Sequence, residues 1–200
     1  MTNTWDERYA SEEYIYGTEP NSFFREKLLK LRPGKILFPA EGEGRNAVFA
    51  ATLGWTSYAF DQSIEGQKKA FKLAKQKGVS IQYSVQSLTV WDPLPSEYDC
   101  IALIFVHLPE ELRQKIHQAA ISALKPGGTL ILEAFSVNQL QRNSGGPKTA
   151  ELLFTRGQLE TDFAGLIGID LSEIQVTLDE GPLHRGLAEV IQFTGRKAAE

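Results

Sequence analysis

The residue pattern from Lys35 to Asp61 predicts a short apolar strand, a glycine loop, a helix and a second strand that ends in a carboxylate. In the loop, Gly42 and Gly44 fit the pattern G-x-G-x-x-[GA], in which small residues let a ligand approach the backbone. The carboxylate of Asp61, at the end of the second strand, can accept hydrogen bonds from both hydroxyls of a ribose. The spacing therefore predicts a site for a cofactor that contains adenosine.

The same loop carries two further carboxylates, Glu41 and Glu43. A diphosphate binds best to bare amides at a helix N-terminus, so each carboxylate would oppose a dinucleotide by roughly 1 kcal/mol or more at partial burial. S-adenosylmethionine instead brings a sulfonium, an ammonium and one carboxylate. Glu41 would face the positive groups, and Arg45 or the loop amides would bind the carboxylate. Charge thus favours S-adenosylmethionine over a nicotinamide dinucleotide, although plain solvent exposure is the simpler expectation for Glu43.

The elements that must position these residues alternate along the chain. The hydrophobic pattern predicts strands at residues 35–39, 56–60, 79–84, 100–106 and 129–135, and an antiparallel hairpin at about 170–178 and 187–195. Helices are expected at about 20–31, 45–53, 63–77, from 109, and from 155 to 165. We therefore expect an α/β fold: a Rossmann-like, seven-stranded, mostly parallel sheet flanked by helices, with a C-terminal antiparallel hairpin. Ligands of such sheets bind beyond the carboxyl ends of the strands.

The composition indicates one folded domain over residues 1–200, with 42% hydrophobic and 23% charged residues. A net charge of −4 provides no basic footprint for nucleic acid. The N-terminus lacks the apolar stretch of a signal peptide, and no apolar run is long enough to span a membrane, so we expect a cytoplasmic protein. The single cysteine, Cys100, lies in an apolar run and should be buried, and no Cys/His spacing suggests a metal site.

Several segments together resemble the class I S-adenosylmethionine-dependent methyltransferases, and within them the small tellurite-resistance and thiopurine-type branch. The matching segments are Trp5–Asn21, Glu41–Ala47, Asp61, Ala123–Gly128, Gly145–Pro147 and Leu183–Gly186. The resemblance covers nearly the whole chain and implies one methyltransferase domain, with residues 1–31 as a lid or helix segment and residues 35–200 as the core. It implies S-adenosylmethionine as methyl donor, S-adenosylhomocysteine as product, and a small-molecule acceptor, for example a soft nucleophile such as tellurite, selenite or a thiol.

The chain also departs from the family pattern. The family's first strand usually ends in an acidic residue followed by L-G-C-G, whereas here Phe38 takes the place of the acid, and Glu41 would take over its role. Ser87 stands where an aspartate often lies near the adenine amine, so its side chain or nearby amides would contact adenine. The sequence Phe105–Pro109 is not the N/D-P-P-Y signature of nucleic-acid amino-methyltransferases.

The strand ends and the N-terminal aromatic residues supply the predicted cofactor contacts. They are Trp5, Tyr16, Ala40, Glu41, Gly42, Gly44, Arg45, Asn46, Asp61, Gln62, Gln86, Ser87, Leu88 and Phe105. Trp5 and Tyr16 belong to a group of four aromatic residues that either closes over the cofactor as a lid or packs on the core.

Three residues are candidates for a catalytic role. Methyl transfer to an anionic soft nucleophile needs alignment and exclusion of water, but neither a metal nor, strictly, a general base. His107, after the fourth strand, would orient the acceptor or act as a base; alternatively it bonds to backbone. The resemblance places His184 and Arg185, in the hairpin turn, at the methyl site, where an arginine would suit an oxyanion; alternatively both are solvated.

Two other functions stay open at this point. One is a non-catalytic sensor that binds S-adenosylmethionine or S-adenosylhomocysteine. The other is a short NAD(P)-dependent oxidoreductase.

Overall fold

The computed structural model describes residues 4–199, which contain one sheet of seven strands. The strands are β1 (Lys35–Pro39), β2 (Thr56–Asp61), β3 (Gln82–Val85), β4 (Tyr98–Ile104), β5 (Leu124–Phe135), β6 (Leu166–Asp179) and β7 (Arg185–Lys197). Their spatial order is β3-β2-β1-β4-β5-β7-β6. The first five strands are parallel, and β7 runs antiparallel to both β5 and β6. The predicted fold class, including the C-terminal hairpin, is confirmed.

The helices connect and cover the strands. They are α1 (Thr4–Tyr9), α2 (Ser22–Leu28), α3 (Arg45–Thr52), α4 (Ile64–Gln76), α5 (Glu110–Ala123) and α6 (Arg156–Asp162), with short 3-10 turns at Leu88–Val90, Val137–Gln141 and Ala150–Leu152. None of the helices in residues 4–199 combines the length and the apolar character needed to cross a membrane.

Polar side chains determine where several helices begin. The Ser63 hydroxyl accepts a hydrogen bond from the Gly66 amide at 3.0 Å and caps α4. Thr155 and Gln158 form the predicted capping box of α6. The helix expected from Pro20 begins two residues later, because the Asn21 side chain accepts from the Phe24 amide and acts as its N-cap.

Apolar layers cover both faces of the sheet. One layer contains Phe24 and Phe38, whose rings meet edge to face with centroids 5.4 Å apart. Phe38 is fully buried there, which explains how an apolar residue is tolerated in place of the family's acid. Cys100 is also fully buried in this layer, as predicted, and burial raises the pKa of its thiol.

The strand order reverses between β1 and β4, and the chain leaves both strands in an unusual conformation. Ala40, just after β1, has φ of 54°, and Phe105, just after β4, has φ of 55°. A positive φ is uncommon for alanine and a genuine outlier for a bulky residue such as phenylalanine. Backbone strain of this kind concentrates at functional sites, and a reversal of strand order is where open α/β sheets bind ligands.

Candidate cofactor and acceptor site

A cavity of about 650 Å³ opens at the carboxyl ends of the strands, a volume in the range of sites that enclose a small molecule. We call it the strand-end cavity. The predicted cofactor residues that line it are Trp5, Tyr16, Ala40, Glu41, Arg45, Asn46, Asp61, Gln62, Gln86, Ser87, Leu88 and Phe105. Of the predicted catalytic residues, His107 and His184 line it as well.

Asp61 lies in the wall of the strand-end cavity, at the end of β2, and is only 7% exposed. Its Oδ2 accepts a hydrogen bond from the Gly42 amide at 3.1 Å, and its Oδ1 accepts from the Ser63 amide at 2.9 Å. Burial raises the pKa of the carboxyl, and these amides oppose that rise. Each carboxylate oxygen has a second lone pair, so Asp61 retains the capacity to accept a ribose hydroxyl.

The two loop glycines serve packing and do not line the cavity, contrary to their predicted role as cofactor contacts. A Cβ atom on Gly44 would lie 2.4 Å from the Cβ of Ala70, and one on Gly42 would lie 2.6 Å from the hydroxyl of Tyr9. Both glycines also have positive φ. They therefore allow α4 and α1 to pack directly against the loop.

Glu41 caps a helix, which differs from its predicted orientation toward a sulfonium or ammonium. Its Oε1 accepts hydrogen bonds from the amides of Asn46 at 2.8 Å and Ala47 at 2.7 Å, in the first turn of α3. Burial raises the pKa of its carboxyl to about 7, although these amides and the Arg45 charge oppose the rise. Two amides at the N-terminus of α3, where a diphosphate would bind, are thus already bonded. This cap disfavours a dinucleotide, in addition to the negative charge of the loop.

Glu43 is 3% exposed, so the expectation that it is solvated is wrong. One of its carboxylate oxygens lies 2.7 Å from the Nζ of Lys69, in a buried ion pair. The carboxylate also accepts hydrogen bonds from the amides of Ile15 and Tyr16, each at 3.2 Å. Glu43 therefore fixes the backbone of the N-terminal segment, residues 4–21, over the glycine loop.

The N-terminal segment both packs on the core and covers the cavity. The Oδ1 of Asp6, in α1, accepts from the Ser63 hydroxyl at 2.6 Å and from the Glu65 amide at 3.3 Å, at the start of α4. Tyr9, the last residue of α1, is buried. Trp5 and Tyr16 reach the cavity wall. The position of the N-terminal segment over the cavity suits a lid. That this segment moves is still a prediction.

His107 is held by the backbone on both sides of its ring. Its Nδ1 lies 2.7 Å from the Leu152 carbonyl oxygen, and the Phe135 amide donates to its Nε2 at 3.3 Å. This network assigns the proton of the neutral ring to Nδ1. Burial lowers the pKa of His107 to about 4, so the ring is neutral at pH 7. The geometry favours the interpretation of a backbone-bonded histidine over that of a general base.

The two residues of the hairpin turn are separated by the fold. His184 is 6% exposed, and its ring lies between those of Tyr16 and Phe105, with centroids 4.5 Å and 4.6 Å away. Arg185 points elsewhere: its side chain is 78% exposed, lies 3.6 Å from Asp179, and does not line the cavity. The predicted catalytic placement of Arg185 is therefore not supported, because its side chain lies in solvent outside the cavity.

The sequence did not single out an apolar part of the cavity, which we call the apolar compartment. Its residues are Phe105, Val106, Leu108, Leu112, Phe135, Pro147, Leu152 and Leu183. Phe135 ends β5, and its position at the end of a predicted strand was the available signal. Glu180, which bonds to Arg45 and His184, had no signal in the sequence. It reaches the site because β7 pairs antiparallel to β5, which places the β6–β7 turn at the carboxyl ends of the parallel strands.

The sequence was compared with protein-family models and with curated proteins. Residues 36–128 match a family model described as a methyltransferase domain. No curated protein matches the sequence.

Solved structures resemble nearly the whole chain at low sequence identity. A protein studied for the conversion of a disulfide bond into a thioacetal group during echinomycin biosynthesis matches with a TM-score of 0.77 and 16% identity, over 97% of this chain and 92% of that one. A SAM-dependent methyltransferase from Methanosarcina mazei matches with a TM-score of 0.70 and 17% identity, over 91% and 100% of the two chains. TehB from Haemophilus influenzae matches with a TM-score of 0.68 and 16% identity, over 96% of this chain and 65% of TehB.

At these identities the solved structures establish the fold alone. The family model adds that residues 36–128 match a methyltransferase domain. The residues present also fit the cofactor that both imply. Asp61 can hold a ribose, the Glu41 cap at the start of α3 disfavours a diphosphate, and the rings of Trp5, Tyr16 and Phe105 line part of the wall. The matched domain and the structural neighbours imply S-adenosylmethionine as cofactor and S-adenosylhomocysteine as its product.

Proposed function

We propose that this protein transfers the methyl group of S-adenosylmethionine to the sulfur atom of a small apolar thiol. The observation that carries the proposal is the apolar compartment, whose residues line the same cavity as Asp61. When bound, S-adenosylmethionine supplies an electrophilic methyl group on a sulfonium. An apolar wall removes water from an attacking sulfur atom and leaves it free to react.

The residues of this chain would divide the work by position. Asp61 would bind the ribose, and Gln86–Leu88, which also lines the cavity, would contact the adenine. The rings of Trp5 and Tyr16 offer π-faces to the sulfonium, since aromatic faces attract cations. The N-terminal segment excludes water from the reacting atoms.

Charge in the cavity favours a thiol over tellurite or selenite, which are oxyanions that need cations around them. Within residues 4–199, two arginines line the cavity. The Nη2 of Arg45 is paired with Glu180 at 2.9 Å, and the Nη1 of Arg8 donates to the Tyr16 hydroxyl at 3.0 Å. Arg185 lies outside. The Arg45 charge is thus already balanced by the Glu180 carboxylate, whereas Arg8 is exposed and bound only to a hydroxyl.

Ligand-induced stabilisation tests the cofactor. S-adenosylhomocysteine should raise the melting temperature, whereas NADH should not, because a ligand at 100 times its dissociation constant adds about 2.7 kcal/mol of stability. The opposite pattern would remove the methyltransferase proposal in favour of an oxidoreductase.

Turnover tests the reaction. Release of S-adenosylhomocysteine would be followed with alkyl and aryl thiols, selenite, tellurite and small phenols. Turnover with thiols alone is the expected result, and turnover with the oxyanions alone would contradict the proposed acceptor. Tight binding of S-adenosylhomocysteine without turnover on any acceptor would favour the non-catalytic sensor. The cytoplasmic location and the absence of nucleic-acid partners stay predictions.

A further inference from the structure

One carboxylate, that of Glu180, connects the acceptor side of the cavity to the cofactor loop. Its Oε2 accepts from the Nη2 of Arg45 at 2.9 Å and lies 3.3 Å from the Nδ1 of His184. Its Oε1 accepts from the Nδ2 of Asn21 at 3.0 Å. The Glu180 side chain is 10% exposed. Its partners Arg45, His184 and Asn21 belong to three different parts of the fold, and together they hold the carboxylate in a single geometry.

Glu180 keeps its negative charge at neutral pH. Burial raises the pKa of its carboxyl, but the hydrogen bonds and charges of His184 and Arg45 outweigh burial and lower that pKa to about 2. The carboxylate therefore cannot take a proton from a substrate. It can instead hold the proton of the neutral imidazole on Nδ1 of His184, which leaves the lone pair on Nε2.

The Nε2 edge of His184 is left open. Nε2 forms no hydrogen bond to residues 4–199, and His184 lines the strand-end cavity. Gly145 lies beside this edge with φ of 121°, and a Cβ there would be 2.9 Å from Cδ2 and 3.6 Å from Nε2. A glycine at 145 thus leaves room next to the nitrogen that carries the lone pair.

We propose that Glu180 is a positioning residue that makes His184 the proton acceptor in methyl transfer. The acceptors would then be nucleophiles that arrive protonated, such as alkyl thiols. The inference rests on the proposed function and adds how the acceptor is ionised. In the step, the S–H bond breaks and its proton goes to Nε2. The sulfur electron pair forms the bond to the methyl carbon while the carbon–sulfonium bond breaks. The products are a methyl thioether, S-adenosylhomocysteine and a protonated His184.

Some neighbours of His184 stabilise its protonated form, and others destabilise it. Its charged and titratable neighbours are Glu180, Arg45, Arg8, Tyr16 and His107. Burial lowers the pKa of His184 most, the arginines lower it further, and Glu180 raises it. Removing the Glu180 charge should therefore make His184 a weaker base, since an anion at Nδ1 stabilises the imidazolium as it forms.

Two acceptors of different acidity test the inference. One is an alkyl thiol, which is protonated at pH 7, and the other is a nitro-substituted thiophenol, which is already ionised at that pH. For Glu180→Gln, which keeps the shape of the side chain, kcat/KM should fall at least about tenfold with the alkyl thiol, since general bases contribute about 10²–10⁴-fold. With the thiophenol it should change less than about threefold. Asp179→Asn is the control, because Asp179 is exposed next to Glu180 and lies outside the strand-end cavity.

His184→Gln provides a second variant if Glu180→Gln does not fold, and it should lose the same selective activity. A readout without turnover is available because the chain has only three histidines. In ¹⁵N NMR spectra of the ligand-free protein, His184 should carry its proton on Nδ1, and its pKa should fall in Glu180→Gln.

The outcomes distinguish a failure of this inference from a failure of the proposed function. An equal loss with both thiols, or no loss with either, would overturn the role of Glu180 and leave the proposed function intact. If wild-type protein methylates neither thiol while it binds S-adenosylhomocysteine, the proposed acceptor class fails and the inference falls with it.

Discussion

In the glycine loop, the Oε1 of Glu41 accepts a hydrogen bond from the backbone amide of Ala47 at 2.7 Å. The same oxygen accepts from the Asn46 amide, so a side chain of the protein occupies the anion site at the start of α3. Dinucleotide-binding proteins reserve such amides for a diphosphate. A cofactor without a diphosphate is compatible with this arrangement.

The first prediction concerns the cap itself. Glu41→Ala should lower the free energy of unfolding by about 0.5–2 kcal/mol at pH 6, the range for loss of a helix cap. Glu41→Gln should lose less, because the amide oxygen of glutamine still accepts both hydrogen bonds. Urea denaturation measures both, with Glu12→Ala as an exposed control. Equal losses for the two Glu41 variants would contradict the cap.

The second prediction concerns pH. Burial raises the pKa of Glu41 to about 7 in the folded protein, above its ordinary value of 4.5. The folded state therefore binds the proton more tightly than the unfolded state, and this contribution to stability is complete below pH 4.5 and lost as the pH rises through 7. Wild type should lose stability relative to Glu41→Gln between pH 5 and 8. Parallel stability curves over this range would show that Glu41 does not titrate there.

The third prediction concerns the ribose. Asp61→Ala should raise the dissociation constant of S-adenosylhomocysteine at least about tenfold, which corresponds to about 1.4 kcal/mol. Isothermal titration calorimetry measures it, with Asp92→Ala as a control on an exposed carboxylate. Because Asp61 also binds the Gly42 and Ser63 amides, the melting temperature without ligand must be measured in parallel. Unchanged affinity would mean that the cofactor lies elsewhere.

The fourth prediction concerns the N-terminal segment. Lys69→Met removes the buried partner of Glu43 and should cost about 3 kcal/mol or more, as for other broken buried ion pairs. Hydrogen exchange should accelerate at the Ile15 and Tyr16 amides, which donate to Glu43. S-adenosylhomocysteine should slow it again if this segment covers the cofactor. Lys72→Met, on the exposed face of α4, should leave both amides protected.

The fifth prediction concerns Arg185. Because its side chain is exposed and lies outside the cavity, Arg185→Ala should change kcat/KM by no more than about twofold, the effect of an ordinary surface substitution. Steady-state kinetics with the best thiol acceptor measures it. A loss of activity as large as that of His184→Gln would place Arg185 at the methyl site after all.

Local patterns were sufficient to predict most elements. Lys35–Pro39 has the predicted bounds of β1, and Ser63 caps the helix that it was expected to cap. Element ends were less accurate: β5 begins at Leu124 and not at residue 129, since Tyr98 of β4 already pairs with Leu124. Pairing of this kind depends on the neighbouring strand, which local sequence does not specify.

The sequence by itself determined the alternation of strands and helices, and with it the edge of the sheet where Asp61 and the glycine loop meet. These features depend on hydrophobic periodicity and turn residues, which act over a few positions. Only the tertiary structure decided what the carboxylates do. Glu43 pairs with a lysine 26 residues away, and Glu180 pairs with an arginine 135 residues away. Such partners meet because the whole chain folds, and burial then fixes their charges and geometry.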